Sequence, residues 1–235
     1  MINTVLFDLD GTLLPMNQDK FLEGYFNVIA SKFKDHDVKT LLKSLQYGIK
    51  GMLLNDGSKT NEEAFWDTFY KLVPKDSSLE DKFIEMYENE FQTLINYTNP
   101  SNLAKKIINT LKAKGYTIIC ATNPLFPKIA TYSRIKWAGL NPNDFKYITT
   151  FENSKYAKPN LDYYKEIIEK NNLDRESCLM VGNDVSEDLC VKSLGLKTFL
   201  LTDNLINSLN VEIDTNWSGS MEELLEFVNN LNEVK

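Results

Sequence analysis

From Val5 to Leu13 the chain reads Val-Leu-Phe-Asp-Leu-Asp-Gly-Thr-Leu, a short apolar strand that stops at two acids and a glycine. Asp8 and Asp10 are two positions apart, so on an extended backbone both side chains share one face, and Gly11 lets the chain turn sharply after them. Two carboxylates crowded into a partly desolvated crevice repel each other. A bound cation, a shared proton or both relieve that repulsion. An exposed strand-to-loop turn would also favour Asp and Gly, so the meaning of this pair depends on what the rest of the chain brings to it.

Downstream, the periodicity is first helical. Phe21, Tyr25, Ile29 and Phe33 recur every fourth residue, and Val38, Leu41, Leu45, Ile49 and Met52 keep helical spacing until Asn55-Asp56-Gly57-Ser58. Thr60 and Glu63 have the spacing of a capping box for a third helix carrying Phe65, Trp66, Phe69, Leu72 and Val73, with Pro74 as its stop. Ser78 is expected to cap a fourth, with Leu79, Phe83, Met86, Tyr87, Phe91 and Leu94 near one stripe. Four successive helices predict a helical bundle whose aromatic residues form its core. Beyond Pro100, strands and helices alternate. Strands are expected at Tyr116 to Ala121, Lys146 to Thr150, Cys178 to Val181 and Lys197 to Leu201, with helices between them and a last one capped by Ser220 and Glu223. The expectation is an α/β fold: a Rossmann-like parallel sheet with helices on both faces, and an α-helical bundle inserted after the first strand. The core would comprise residues 1–16 and 99–235 and the helical cap residues 17–98, with hinges near Pro15 to Asp19 and Thr98 to Ser101.

Composition narrows the function. A formal net charge of −7 over 235 residues, with no Lys/Arg-rich run, argues against nucleic acid as a partner. No apolar run is long enough to span a bilayer and no basic leader precedes the first strand, so no membrane partner and a cytoplasmic location are expected. Cys120, Cys178 and Cys190 are unclustered and read as structural thiols. The single histidine, His36, lies in the polar run Lys34-Asp35-His36-Asp37, which leaves a histidine-based site without residues.

In such a sheet the functional crevice lies beyond the C-terminal ends of the strands. There the second strand presents Thr122-Asn123, a hydroxyl and an amide suited to a phosphate oxygen, though both would also cap a helix. Lys158-Pro159 follows the third strand; taken singly, such a lysine is most often a surface charge. The fourth strand runs into Gly182-Asn183-Asp184-Val185-Ser186-Glu187-Asp188, whose acids would also suit a helix start.

Together, Asp8-Leu9-Asp10-Gly11-Thr12, Thr122-Asn123, Lys158-Pro159 and Gly182-Asn183-Asp184-Val185-Ser186-Glu187-Asp188 resemble, in order and in structural context, the four motifs of the haloacid dehalogenase-like hydrolases. The resemblance implies Asp8 as a nucleophile forming an aspartyl-phosphate and Asp10 as general acid, then general base. Thr122, Asn123 and Lys158 would hold phosphoryl oxygens. Mg²⁺ would sit on Asp8, the Asp10 carbonyl and an acid of the fourth motif. Members often have Gly-Asp at that motif, whereas this chain has Gly182-Asn183-Asp184, so the direct ligand is Asp184 or, through its amide oxygen, Asn183. Asp184 is favoured because a carboxylate better neutralises a cation, with Asp188 and Asn183 supporting it. Asp10 argues against haloacid dehalogenases and phosphonoacetaldehyde hydrolases, which lack the second acid. The reading is a Mg²⁺-dependent phosphatase of a small phosphorylated metabolite. A phosphomutase similar to β-phosphoglucomutase, a phosphoacceptor switch and a catalytically inactive interaction protein stand as alternatives.

Overall fold

Val5, Leu6 and Phe7 offer no polar residue between them, so a strand built from them needs cover on both faces. The structure, a computed structural model, describes residues 1–234 and supplies that cover. Strands β1 (Thr4–Phe7), β2 (Thr117–Cys120), β3 (Tyr147–Ile148), β4 (Cys178–Gly182), β5 (Lys197–Leu201) and β6 (Trp217–Gly219) form one sheet. All its pairings are parallel, in the order β3-β2-β1-β4-β5-β6. Leu6 lies in register between Ile119 and Met180, and this row packs on Tyr163, Tyr164, Ile167 and Ile168 of helix α7 (Leu161–Asn171). The alternate residues Val5 and Phe7 belong to the opposite core, with Ile107, Ile108 and Leu111 of α5 (Asn102–Ala113) and Leu224 and Val228 of α8 (Met221–Asn230). This is the Rossmann-like α/β architecture. The strand order reverses between β1 and β4, which opens a crevice beside the end of β1.

Between β1 and α5 the chain forms α1 (Gln18–Lys32), α2 (Val38–Leu53), α3 (Asn61–Phe69), α4 (Ser77–Glu88) and a 3₁₀ stretch, Glu90–Tyr97. The two strands of chain joining this segment to the sheet lie side by side: Met16 bridges Thr98, and the Asn99 amide donates to the Pro15 carbonyl at 2.7 Å. A third attachment is not covalent. The buried Asn61 donates its backbone N–H to the Ser154 carbonyl at 2.8 Å, and its side-chain Nδ2 donates to the carbonyls of Tyr156 (3.1 Å) and Pro124 (3.3 Å). Its Oδ1 accepts from Asn55 Nδ2 at 2.9 Å. One amide thus ties the helical segment to the loops that follow β2 and β3.

Several local expectations are corrected. The strand expected at Lys146 to Thr150 shortens to Tyr147–Ile148, because Thr149 and Thr150 instead join a turn closed by the Asn153 side chain. Asp76, not Ser78, caps α4, its carboxylate accepting from the Ser78 amide at 2.9 Å. Phe91 and Leu94 lie in the 3₁₀ stretch, since Asn89 departs from helical geometry. Helix α3 ends at Phe69, well before Pro74, where the next residue, Tyr70, turns its hydroxyl to the Asp76 carbonyl and Glu80. Leu189–Leu194 forms 3₁₀ turns, and β6 was not foreseen because Trp217 and Ser218 are exposed and show no alternation. The capping boxes at Thr60/Glu63 and Ser220/Glu223 are present. Among the described residues no helix is long and apolar enough to cross a membrane.

Asn61→Ala removes the side-chain donor to the Pro124 and Tyr156 carbonyls and one of the two acceptors of Asn55 Nδ2. It is expected to lower the unfolding free energy by about 1–3 kcal/mol in urea titration. A loss below about 0.5 kcal/mol would show that the attachment contributes nothing to stability.

Candidate active site

The parallel register delivers the ends of β1, β2 and β4 to one place. The Ala121 amide donates to the Phe7 carbonyl at 2.7 Å and the Asp8 amide to the Val181 carbonyl at 2.9 Å, so the residues after each strand emerge together. They surround a cavity of about 300 Å³ whose lining includes Asp8, Asp10, Thr122, Asn123, Asp184 and Asp188.

The sharp turn after Asp10 needs a glycine. Gly11 has φ +86°, and a Cβ there would lie 2.6 Å from Asn183 Nδ2. Asn183 accepts from the Thr12 hydroxyl at 2.9 Å and donates to the Asn204 carbonyl at 2.7 Å, so its amide is committed at both ends to holding this turn. Asp184 is half-buried, and its Oδ1 accepts from the amides of Ser186 (2.8 Å) and Glu187 (2.9 Å).

Lys158 is the electrostatic centre. Its side chain is buried, and Nζ donates to Asp8 Oδ1 at 2.8 Å and to Asp188 Oδ1 at 2.7 Å. Burial alone would pull the ammonium's pKa down, but Asp188 and Asp8 outweigh it and hold the pKa well above the usual lysine range. Two carboxylates facing one ammonium leave an excess of negative charge. Burial, opposed by Lys158 and assisted by Asp8, accordingly lifts Asp188 to about 6. The Lys158 backbone amide donates to Asn123 Oδ1 at 3.2 Å, and Asn123 Nδ2 donates to both Glu187 oxygens at 3.0 and 3.1 Å. Burial, with Lys158 opposing, raises Glu187 to about 7.

The two acids of β1 have different surroundings. Asp8 meets Lys158, whereas Asp10 pairs through Oδ2 with Arg134 of α6 (Lys128–Trp137). The guanidinium is fully buried, 4.3 Å from the Phe126 ring, with Nε directed at the Ala130 carbonyl. Asp10 Oδ1 is buried without a hydrogen-bond partner, and desolvation raises the Asp10 pKa despite Arg134. The Asp10 carbonyl accepts from Gln18 Nε2 at 3.2 Å and keeps a second lone pair.

All eight residues picked out in the sequence therefore meet at this site: six have been named as lining the cavity, Asn183 also lines it, and Lys158 is bonded to Asp8 and Asp188. Arg134 and Glu187 were missed as partners. Arg134 carried one faint signal, standing among small and apolar neighbours at Ala130, Ile135 and Ala138, which implies an inward face. Cys120 and Cys178 are buried and Cys190 half-buried, and all three are free thiols. His36 is exposed.

A family-wide sequence profile described as haloacid dehalogenase-like hydrolase matches residues 5–201. The chain belongs to that family of hydrolases. Pyrophosphatase PpaX of Bacillus cereus (strain G9842) is 23% identical over 237 residues, covering 98% of each chain. The same-named protein of Halalkalibacterium halodurans is 25% identical over 201 residues, 84% of this chain and 82% of its own. Among solved structures, a HAD phosphatase from Thermococcus onnurineus superposes with a TM-score of 0.62 at 19% identity, covering 99% of this chain and 100% of that one. L-2-haloacid dehalogenase from Xanthobacter autotrophicus superposes at 0.58 with 16% identity, covering 98% and 100%. These structures share the fold.

A raised carboxyl pKa means that the folded protein binds that proton more tightly than the unfolded chain. The associated stability is present below the ordinary value of 4.5 and is lost as pH rises through about 7 for Glu187. With metal chelated, Glu187→Gln should therefore lose less stability than the parent protein between about pH 5 and about pH 8 in urea titrations. Identical slopes would contradict the burial assigned to Glu187.

Proposed function

We propose that the protein is a Mg²⁺-dependent phosphatase of a small phosphorylated metabolite, working through an aspartyl-phosphate on Asp8. The observation that carries this reading is the unlike surroundings of Asp8 and Asp10. One carboxylate is aimed by Lys158, and the other is desolvated, raised in pKa and held by Arg134. Two acids held by such different partners, one against an ammonium and one desolvated beside a guanidinium, are suited to separate roles as nucleophile and acid/base.

Charge supports the metal. Asp8, Asp10, Asp184, Glu187 and Asp188 surround the crevice against two cations, Lys158 and Arg134, so a phosphate dianion meets net repulsion unless a cation joins it. The donors fit Mg²⁺, which binds hard oxygens and needs only one or two carboxylates when phosphate and water complete its shell. Among the described residues no three His, Cys, Asp or Glu side chains cluster as a closed metal site. The set proposed here is instead two carboxylates, Asp8 and Asp184, with the Asp10 carbonyl. Of the two residues open to that role in the fourth motif, Asp184 is preferred because Asn183 is committed to Thr12 and Asn204. Bound there, Mg²⁺ would offset phosphoryl charge.

The protein's own groups then carry the chemistry. Asp8 attacks phosphorus while Lys158 and the Thr122 hydroxyl hold phosphoryl oxygens. Asn123 joins them once Glu187 releases its amide. Asp10, positioned by Arg134, protonates the leaving oxygen and then removes a proton from the water that hydrolyses the acyl phosphate. Asp188 keeps Lys158 aligned. Residues 17–98 act as the cap over this crevice, moving on the paired segments at Met16 and Thr98. A cytoplasmic location and a substrate that is neither nucleic acid nor membrane belong to the same reading.

Asp8→Asn is expected to lower turnover of an aryl phosphate by at least about four orders of magnitude while a cooperative unfolding transition remains. A mutant with Mg²⁺-responsive turnover near the parent level would refute the nucleophile assignment. Multiple turnovers by the parent protein would exclude a phosphoacceptor switch, and one stable phosphorylation per chain would favour it.

A further inference from the structure

Beside the catalytic crevice lies a second cavity of about 810 Å³, and the two share Leu22, Leu125 and Phe126 as a common wall. Its remaining lining is largely apolar and comes from both parts of the chain. Phe26, Ile49 and Trp66 stand on the helical side, and Ile129, Tyr132 and Phe151 on the sheet side. A space of this size and character is suited to a drug-sized apolar group. Leu22 and Ile84, which also line it, are 44% and 52% exposed, so apolar surface is left uncovered at the chamber.

The charged groups lining it work against a second anion. Glu62, Glu80 and Glu152 outnumber Lys128 and Lys136. Lys128 Nζ rests over the Tyr132 ring at 5.2 Å, and the Lys128 amide donates to Glu152. The phosphoryl crevice has its cations at Lys158 and Arg134, both already engaged with carboxylates. A substrate with a second phosphoryl group, such as pyrophosphate, would therefore put that charge beside carboxylates in a hydrophobic chamber.

We infer that this chamber receives the leaving group of the phosphate ester bound at Asp8, and that the leaving group is a bulky hydrophobic alcohol, aryl or long-chain alkyl, without a second anionic group. The inference rests on the phosphatase reading and specifies its substrate class. Its anchor is the adjacency of the two cavities, which Leu22, Leu125 and Phe126 line in common. In the reaction the ester P–O bond breaks, the alcohol oxygen takes the proton of Asp10, and water supplies the hydroxyl that ends on phosphate. The alcohol is released from the chamber.

The test uses the full chain with Mg²⁺ and a series of n-alkyl phosphates from ethyl to octyl, with pyrophosphate alongside. Each added methylene is expected to raise kcat/KM roughly three- to fourfold until the chamber is filled. Octyl phosphate should exceed pyrophosphate by at least about 100-fold. Ile84→Asp, at a half-exposed position, should cut the octyl-to-ethyl ratio by at least about tenfold. Calorimetric titration of 1-octanol into the parent protein reads the chamber without catalysis and should show binding that Ile84→Asp weakens. Hydrolysis of ethyl and octyl phosphate at equal efficiency, a preference for pyrophosphate, or no octanol binding would overturn the inference while leaving a phosphatase. Octanol binding without hydrolysis of any ester would instead sustain the chamber as an apolar site and overturn the phosphatase reading.

Discussion

The buried ammonium of Lys158 is held between Asp8 at 2.8 Å and Asp188 at 2.7 Å, and the arrangement of the site follows from satisfying it. A buried cation of this kind is tolerated only with close, hydrogen-bonded anions, and removing one partner of a buried pair typically costs about 3–5 kcal/mol. The three residues come from the ends of β1, the loop after β3 and the turn after β4, so the ion triad joins segments that are far apart in sequence. It also leaves one carboxylate in excess. Burial lifts Asp188 and Glu187, with the negative charge of Asp8 adding to both, and the same excess charge underlies the proposal that a cation joins the crevice.

Around that triad, the neighbouring polar groups are engaged in fixing geometry. Asn183 locks the Gly11 turn, Asn123 bridges the Lys158 backbone and Glu187, and Arg134 grips Asp10 from beneath the Phe126 ring. Asn61 does the same at larger scale by bonding the helical segment to the loops carrying Pro124 and Tyr156. Phe126 belongs to both systems. It covers Arg134 on one side and forms part of the wall shared with the larger apolar chamber, so the proposed acid/base and leaving-group sites would adjoin at one side chain.

Strands β1 to β5 and most of the polar positions were legible because each is a local event: an apolar strand ends, and a polar residue or glycine follows at the mouth where parallel strands converge, whereas Lys158, far into the loop after β3, stood out only through the motif resemblance. Helix caps with a reciprocal pair, Thr60 with Glu63 and Ser220 with Glu223, were legible for the same reason. What escaped depends on distance in sequence. Arg134 looks like any basic residue in a helix until Asp10, 124 positions earlier, is placed against it. Asn61 reads as an ordinary first helical residue, although its partners lie 63 and 95 positions away. The three-residue strand β6 gave no alternation to read, and the commitment of Asn183 to Thr12 is set by a turn geometry that spacing does not encode.

The central claim is that Asp8 itself takes the phosphoryl group, and acid-quenched single turnover tests it most directly. The protein is mixed with excess ³²P-labelled aryl phosphate and Mg²⁺, quenched in acid within the first turnover, reduced with borohydride and mapped by peptide mass spectrometry. The account predicts protein-bound label that appears before free phosphate accumulates, with Asp8 converted to homoserine by the reduction. Label on another residue, or full turnover with no labelled protein at any time, would contradict it.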